Sequence, residues 1–287
     1  MLSTIRTLAA ARRLPSALST RLLTTGGGAP RDLDTSSSHT VSLAELQKFT
    51  SVSNEWWDTQ GAFKYLHTMN RTRTQYIQSR LRDLHPELTR LAGRTIIDVG
   101  CGGGLASEAL ARLGAHVTGV DAAQENIAVA RIHAQQDPGL AGNLVYRQCT
   151  AEQVVAEKQQ FDAVVSLEVI EHVRDPVHFV HSLVELAKPG APIFISTMNR
   201  TALSLLVDIV VPEYILNIVP RGTHQHSKFI APEELTEILH ALGTRVLDTQ
   251  GLVMDPIMNK CHLVDRDMGL VRNAGVQANY IMMARKN

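Results

Sequence analysis

A doubly wound, mostly parallel α/β sheet of seven strands is the fold that this sequence predicts. Three observations predict it: short β-branched runs recur from residue 95 onward, helical stretches stand between most of them, and a glycine-rich turn joins the first run to its helix. Strands that alternate with helices bury both faces of a parallel sheet.

The expected strands are Thr95–Gly100, His116–Asp121, Leu144–Gln148, Phe161–Leu167 and Pro192–Met198, with two weaker ones near Thr244–Thr249 and Ala278–Ala284. Leu105–Leu113, Gln124–Gln135 and Pro232–Leu242 read as helices between them. Residues 41–90 carry helical patterns and are expected to form an N-terminal helical cap; 91–287 form the main domain, with a hydrophobic insert over 199–230 after strand five. In such sheets ligands bind beyond the C-terminal ends of the strands, so the residues just after each strand are the candidates for chemistry.

Residues 1–31 contain Arg6, Arg12, Arg13, Arg21 and Arg31 and no acid, in a background of Ser, Thr, Leu and Ala. That composition fits an organellar transit peptide, mitochondrial rather than plastid, and lacks the solid apolar centre of a secretory signal. A basic tail without an address is the other reading. Residues 32–40 read as a polar linker. The whole chain balances 28 bases with 28 acids, so the part after residue 31 is mildly acidic. That argues against nucleic acid as a partner. No apolar run reaches the length of a membrane span. Cys101, Cys149 and Cys261 form no CxxC pair and no zinc spacing, which fits a reducing compartment.

The first strand runs into Asp98-Val-Gly-Cys-Gly-Gly-Gly104. Glycines allow a tight turn and close approach of a ligand, and the helix that follows presents free N–H groups. The dinucleotide fingerprint fails, because Leu105 and Ser107 stand where its third glycine belongs. The second strand ends on Asp121, whose carboxylate can accept both hydroxyls of a ribose. Strand, glycine run, helix, strand and acid in this order predict an adenosine-type cofactor.

This order resembles the Rossmann-like class I S-adenosylmethionine-dependent methyltransferases. The resemblance narrows over Trp56-Trp57-Asp58, His67, Asn70, Arg73, Glu168-Val-Ile-Glu-His-Val173, Ser196-Thr-Met-Asn-Arg200, Tyr214-Ile-Leu216, Gly222-Thr-His224 and Lys228-Phe-Ile230. Together with the leader, these are similar to the mitochondrial ubiquinone-biosynthesis O-methyltransferase family. The resemblance implies S-adenosylmethionine as cofactor, held by Arg73 at its carboxylate, Gly100 at the loop, Asp121 at the ribose and Leu167 at the pocket wall. Thr150, Ala151 and Glu152 follow the third strand, where such folds meet the adenine. It implies O-methylation of polyprenylated catechols, a dihydroxy-polyprenylbenzoate and a demethylubiquinol. It also implies peripheral attachment to the matrix side of the mitochondrial inner membrane and membership of a multi-subunit ubiquinone-biosynthesis complex. A metal-independent small-molecule methyltransferase and a non-catalytic scaffold of the same fold are the alternatives.

Glu168, Glu171 and His172 fall on one face if a helix starts after the fourth strand. Spacing alone leaves a solvated face as the other reading; the resemblance implies a Mg²⁺ site on this trio, with Zn²⁺ possible because of the imidazole. A divalent cation chelated by two adjacent hydroxyls lowers a phenol's pKa, so no strong separate base is required. His224 and Lys228 are the candidates to take the proton, and each also has a structural reading.

In the insert, Leu203, Leu206, Val207, Val210, Val211, Tyr214, Ile215 and Ile218 recur at helical spacing, between Arg200 and Arg221. An ordinary buried helix fits this pattern, and so does an amphipathic segment lying in a membrane interface.

Overall fold

The computed structural model describes residues 40–42, 45, 53–87, 90–215, 222–255, 258–267 and 273–287. The expected transit peptide and most of the linker, 1–39, lie outside them, as do Ile218 and Arg221 of the insert.

Strands β1 (Thr95–Val99), β2 (His116–Asp121), β3 (Leu144–Gln148), β4 (Ala163–Leu167) and β5 (Pro192–Met198) run parallel. Strands β6 (Thr244–Asp255), β7 (Lys260–Asp265) and β8 (Asn279–Lys286) complete a sheet of order β3-β2-β1-β4-β5-β8-β6-β7. β8 is antiparallel to β5 and to β6, and β6 and β7 form an antiparallel pair. The expected seven strands are therefore corrected to eight among the described residues. The additional strand, β7, lies at the edge of the sheet and is largely exposed along its length. Its alternation lasts only from Lys260 to Leu263, too short a signal to mark a strand. β5, by contrast, is buried at every position, as a strand covered on both faces must be.

Helices α1 (Lys64–Leu84), α2 (Leu105–Arg112), α3 (Gln124–Ala134), α4 (Ala151–Ala156), α5 (Pro176–Leu186) and α6 (Pro232–Ala241) lie between or before the strands. Local chemistry sets their starts. Asp175 accepts from the His178 N–H at 3.0 Å and Pro176 supplies the first turn of α5. Thr150 and Gln153 cap each other's N–H groups at the start of α4. In α1 the buried Met69, Arg73, Tyr76, Ile77 and Leu81 follow helical spacing. That face joins Ile96, Leu110 and Phe194 in one core cluster, so the helical cap shares its core with the sheet.

The chain builds outward from β1 to β3, then returns to place β4 on the other side of β1. The crevice at this reversal opens above Gly100 and Leu167. The segment after β4 departs from expectation. It is a single 3₁₀ turn, Ile170–His172, and not the start of an α-helix, so helical spacing does not align Glu168, Glu171 and His172. The insert also departs from an ordinary helix: Ala202–Ser204 make one turn and Leu205–Ile215 wind at the wider π pitch, with Pro212 inside.

Candidate active site

The crevice is a cavity of about 790 Å³ that runs from the glycine loop to the insert. Gly100, Gly102, Val120, Asp121 and Thr150–Glu152 line one half; Met198, Leu203, Val207, Leu252 and Met254 line the other. Leu167, Glu168, Glu171 and His172 lie on its wall as well.

Glycine is required in the loop for two reasons. Gly100 has φ +76, and a Cβ there would come within 2.5 Å of Val169 Cγ2. Gly102 has φ +53, and a Cβ would meet the Trp56 ring at 2.3 Å. Trp56 stacks on Phe63 at 3.9 Å and donates to Asn126 Oδ1 at 2.8 Å. Trp57 donates to the Gly103 carbonyl at 3.0 Å, and Asn70 to the Leu105 carbonyl at 2.8 Å. The residues before α1, and α1 itself, therefore clamp the loop from outside. Asp121 Oδ2 accepts from the Gly102 N–H at 3.0 Å and Oδ1 from the Ala123 N–H at 2.8 Å. Burial pushes its carboxyl upward against these bonds.

Arg73 is buried and ion-paired to Glu168 at 3.3 Å, and its Nε has no partner. Glu152 accepts from the Thr40 N–H at 3.0 Å and the Thr40 hydroxyl at 2.7 Å, while its Oε2 is unpartnered. Glu152 lines the cavity, and its unsatisfied buried acceptor suits a ligand that donates a hydrogen bond; Arg73 is not among the lining residues and reaches the cavity wall through its ion pair with Glu168.

Known proteins match this arrangement. A methyltransferase-domain family model matches residues 69–249. The ubiquinone biosynthesis O-methyltransferase of Dinoroseobacter shibae is 43% identical over 241 residues, covering 82% of this chain and 96% of that protein. The mitochondrial ubiquinone biosynthesis O-methyltransferase of Arabidopsis thaliana is 41% identical over 265 residues, covering 91% of this chain and 79% of that protein.

The chain belongs to the ubiquinone biosynthesis O-methyltransferase family.

It is an S-adenosylmethionine-dependent O-methyltransferase of ubiquinone biosynthesis. Solved structures share its fold. A possible histamine N-methyltransferase of Thermotoga maritima superposes with a TM-score of 0.59 at 14% identity, over 85% of this chain and all of that one. The magnesium protoporphyrin IX methyltransferase of Synechocystis with bound S-adenosylhomocysteine gives 0.54 at 17% identity, over 87% and 90%.

Glu168 and Glu171 stand on the cavity wall after β4. Glu168 sits at φ 56, a left-handed backbone that an L-residue adopts at a cost of roughly 1–2 kcal/mol. Its N–H donates to the Ser196 carbonyl at 3.0 Å, and its Oε1 accepts from Ser196 Oγ at 2.6 Å and from Arg73. Glu171 is buried; Thr197 donates to its Oε2 at 2.8 Å and its Oε1 has no partner. Burial and the Glu168 charge hold its carboxyl well above the usual range. His172 shares Nδ1 with Glu45 Oε2 at 3.0 Å, and burial favours its neutral form. Among the described residues no three His, Cys, Asp or Glu side chains stand together as a metal-holding group. The donor chemistry still suits a hard divalent cation: one unpartnered buried carboxylate oxygen, a second carboxylate beside it, and an imidazole oriented by an outer carboxylate.

Of the two expected proton acceptors, Lys228 is ion-paired to Glu45 at 2.8 Å. His224 lines the cavity, with Nδ1 3.0 Å from the buried Glu213, which also accepts from the N–H groups of Gly222 and His224. Glu45, Glu213, Asp208 and Asn279 are site residues that sequence reasoning missed. Glu45 lies 127 residues from the histidine it touches, and no local pattern marks such a pair. His178 and His181 stack on each other at 6.1 Å and are not among the cavity-lining residues.

Proposed function

We propose that the enzyme methylates a ring hydroxyl of polyprenylated catechols, the dihydroxy-polyprenylbenzoate and the demethylubiquinol, as a peripheral protein on the matrix side of the mitochondrial inner membrane. The mitochondrial relative supports the compartment. The observation that carries the substrate class is the rim of the acceptor half. Leu203, Leu205, Leu206, Val207, Tyr214 and Ile215 are 40–62% exposed there, and Leu203 and Val207 also line the cavity. A continuous apolar surface leading into a cavity suits an acceptor that arrives from a bilayer. No helix among the described residues is long and apolar enough to cross a membrane. Arg200, which flanks the insert, is ion-paired to Glu234. Membership of a multi-subunit ubiquinone-biosynthesis complex belongs to the same proposal, as does the transit peptide over 1–31.

In this reading Gly100 and Asp121 hold the adenosine of the donor, Leu167 packs beside it, and Arg73 takes its carboxylate. A guanidinium fork suits that carboxylate, and Nε is available for it. The donor's sulfonium methyl is already activated, so the protein's work is to hold the phenolic oxygen in line with it. The O–C bond forms as the C–S bond breaks, and the thioether leaves with the bonding pair. Glu168, Glu171 and His172 would hold Mg²⁺, with Zn²⁺ the alternative, and the cation would supply charge that favours the phenolate. His224 faces the cavity with its Nδ1 fixed by Glu213, which leaves Nε2 for the phenolic proton.

The test is methyl transfer to a short-tailed dihydroxybenzoate, with a chelator and with added Mg²⁺. Transfer that the chelator abolishes and Mg²⁺ restores is expected. Glu168→Ala is expected to keep cofactor binding and lose most transfer; unchanged turnover in that variant would remove the metal role and leave the methyltransferase standing.

A further inference from the structure

Asp208 is the acid of the apolar insert that faces the cavity. Its neighbours on that wall are Leu203, Val207, Val211 and Pro212. Beside it on the cavity wall, at the start of β8, stands Asn279. With its amide in the orientation that its surroundings satisfy, the Asn279 nitrogen donates to both Asp208 oxygens, at 3.1 and 3.2 Å. The other charge facing Asp208 is that of Glu168. An acid whose partner among the described residues is a neutral amide, in apolar surroundings and near another acid, is costly to keep. Burial and Glu168 push its carboxyl up to about 7. Among the described residues of the insert Ser204, Ile209, Pro212 and Glu213 are buried, while Asp208 is half-buried and lines the cavity.

We infer that Asp208, oriented by Asn279, is a specificity residue that accepts a hydrogen bond from the second ring hydroxyl of the aromatic acceptor, the one not undergoing methylation. The inference rests on the acceptor reading above and adds to it a direct protein contact. Once ionised, a carboxylate accepts and does not donate, so well above pH 7, where the binding comparison belongs, it favours a hydroxyl over a hydrogen, a methoxy group or a quinone carbonyl at that ring position. A site built to accept from a hydroxyl rejects the analogue that lacks it, because its own polar groups are left unpaired. The Asn279 amide supplies the orientation: it fixes the carboxylate plane while leaving acceptor capacity on both oxygens for the ligand.

Equilibrium binding decides the matter. The full chain, saturated with S-adenosylhomocysteine, is titrated with an alkyl catechol and with the matching alkyl phenol. A chelator is present, so a bound cation cannot create the preference. The wild type is expected to prefer the catechol by about tenfold, the scale of one hydrogen bond to a charged group. Asp208→Asn is expected to lose most of that preference, with phenol affinity and S-adenosylhomocysteine affinity each within about twofold of wild type. Asn279→Ala is expected to weaken the preference in part. No preference in the wild type, an undiminished preference in Asp208→Asn, or equal weakening of both ligands would each overturn the inference. Absence of methyl transfer from a wild type that shows the preference would instead strike the proposed reaction and leave Asp208's contact intact.

Discussion

Gly100 and Asp98 sit two residues apart and answer to different physics. At Gly100 the constraint is steric. Alanine there combines a left-handed backbone, roughly 1–2 kcal/mol, with a Cβ inside van der Waals contact of Val169. Gly142→Ala makes the control, since Gly142 has φ +83 but open space around it. Both variants are expected to lower the unfolding midpoint, and only Gly100→Ala to weaken S-adenosylhomocysteine binding by more than about tenfold, as titration calorimetry reads it. At Asp98 the constraint is electrostatic. Its carboxyl is buried, accepts from Ser107 Oγ at 2.6 Å, and is pushed up to about 6 by burial. A folded-state value above the unfolded one means that its contribution is fully present below about pH 3.8 and is lost as the pH rises through about 6. Asp98→Asn keeps an acceptor for Ser107 without the charge. It is expected to be more stable than wild type by roughly 2–3 kcal/mol at pH 7.5 and equal to it near pH 4, by urea denaturation. A gap that does not change between the two pH values would refute the assignment.

Among the elements, the insert carries the clearest expectation. Its exposed apolar side chains are the surface proposed to meet lipid. Leu206→Glu/Val210→Glu is expected to cut liposome flotation at least several-fold while leaving S-adenosylhomocysteine affinity unchanged; equal flotation of the folded variant would remove the membrane contact. The apolar spacing of this segment was legible in the sequence, but its π pitch was not, because the same apolar residues at helical spacing fit an ordinary helix equally well. The parallel strands β1 to β5 were legible because each is a short apolar run bounded by a turn signal. β7 was not, since an exposed edge strand gives up that signal. The turn after β4 was misread as a helix for a related reason: Glu168 adopts a left-handed backbone held by Ser196, a partner on β5, and propensity carries no information about it. That Gly100 and Asp121 share one cavity wall was legible because loop and acid lie one strand–helix–strand unit apart. Asp208 with Asn279, and Glu45 with His172, were not, because only the folded chain brings them together.

At the scale of the whole molecule, donor binding and folding are linked. S-adenosylhomocysteine at a hundred times its Kd is expected to stabilise the native state by about 2.7 kcal/mol, read as a rise of a few degrees in the unfolding midpoint. An unmoved midpoint would contradict the placement of the cofactor at Gly100 and Asp121. The two halves of the cavity also rest on different stretches of chain. The donor half stands on the turns after β1, β2 and β3; the apolar wall opposite comes from the end of β5, the insert, β6 and the residues leading into β8. Leu167, Glu168, Glu171 and His172, from the turn after β4, line the same cavity. A lineage can therefore rewrite what it methylates without disturbing how it holds the methyl source, and a graft of another acceptor wall onto β1 to β4 should inherit the donor chemistry intact.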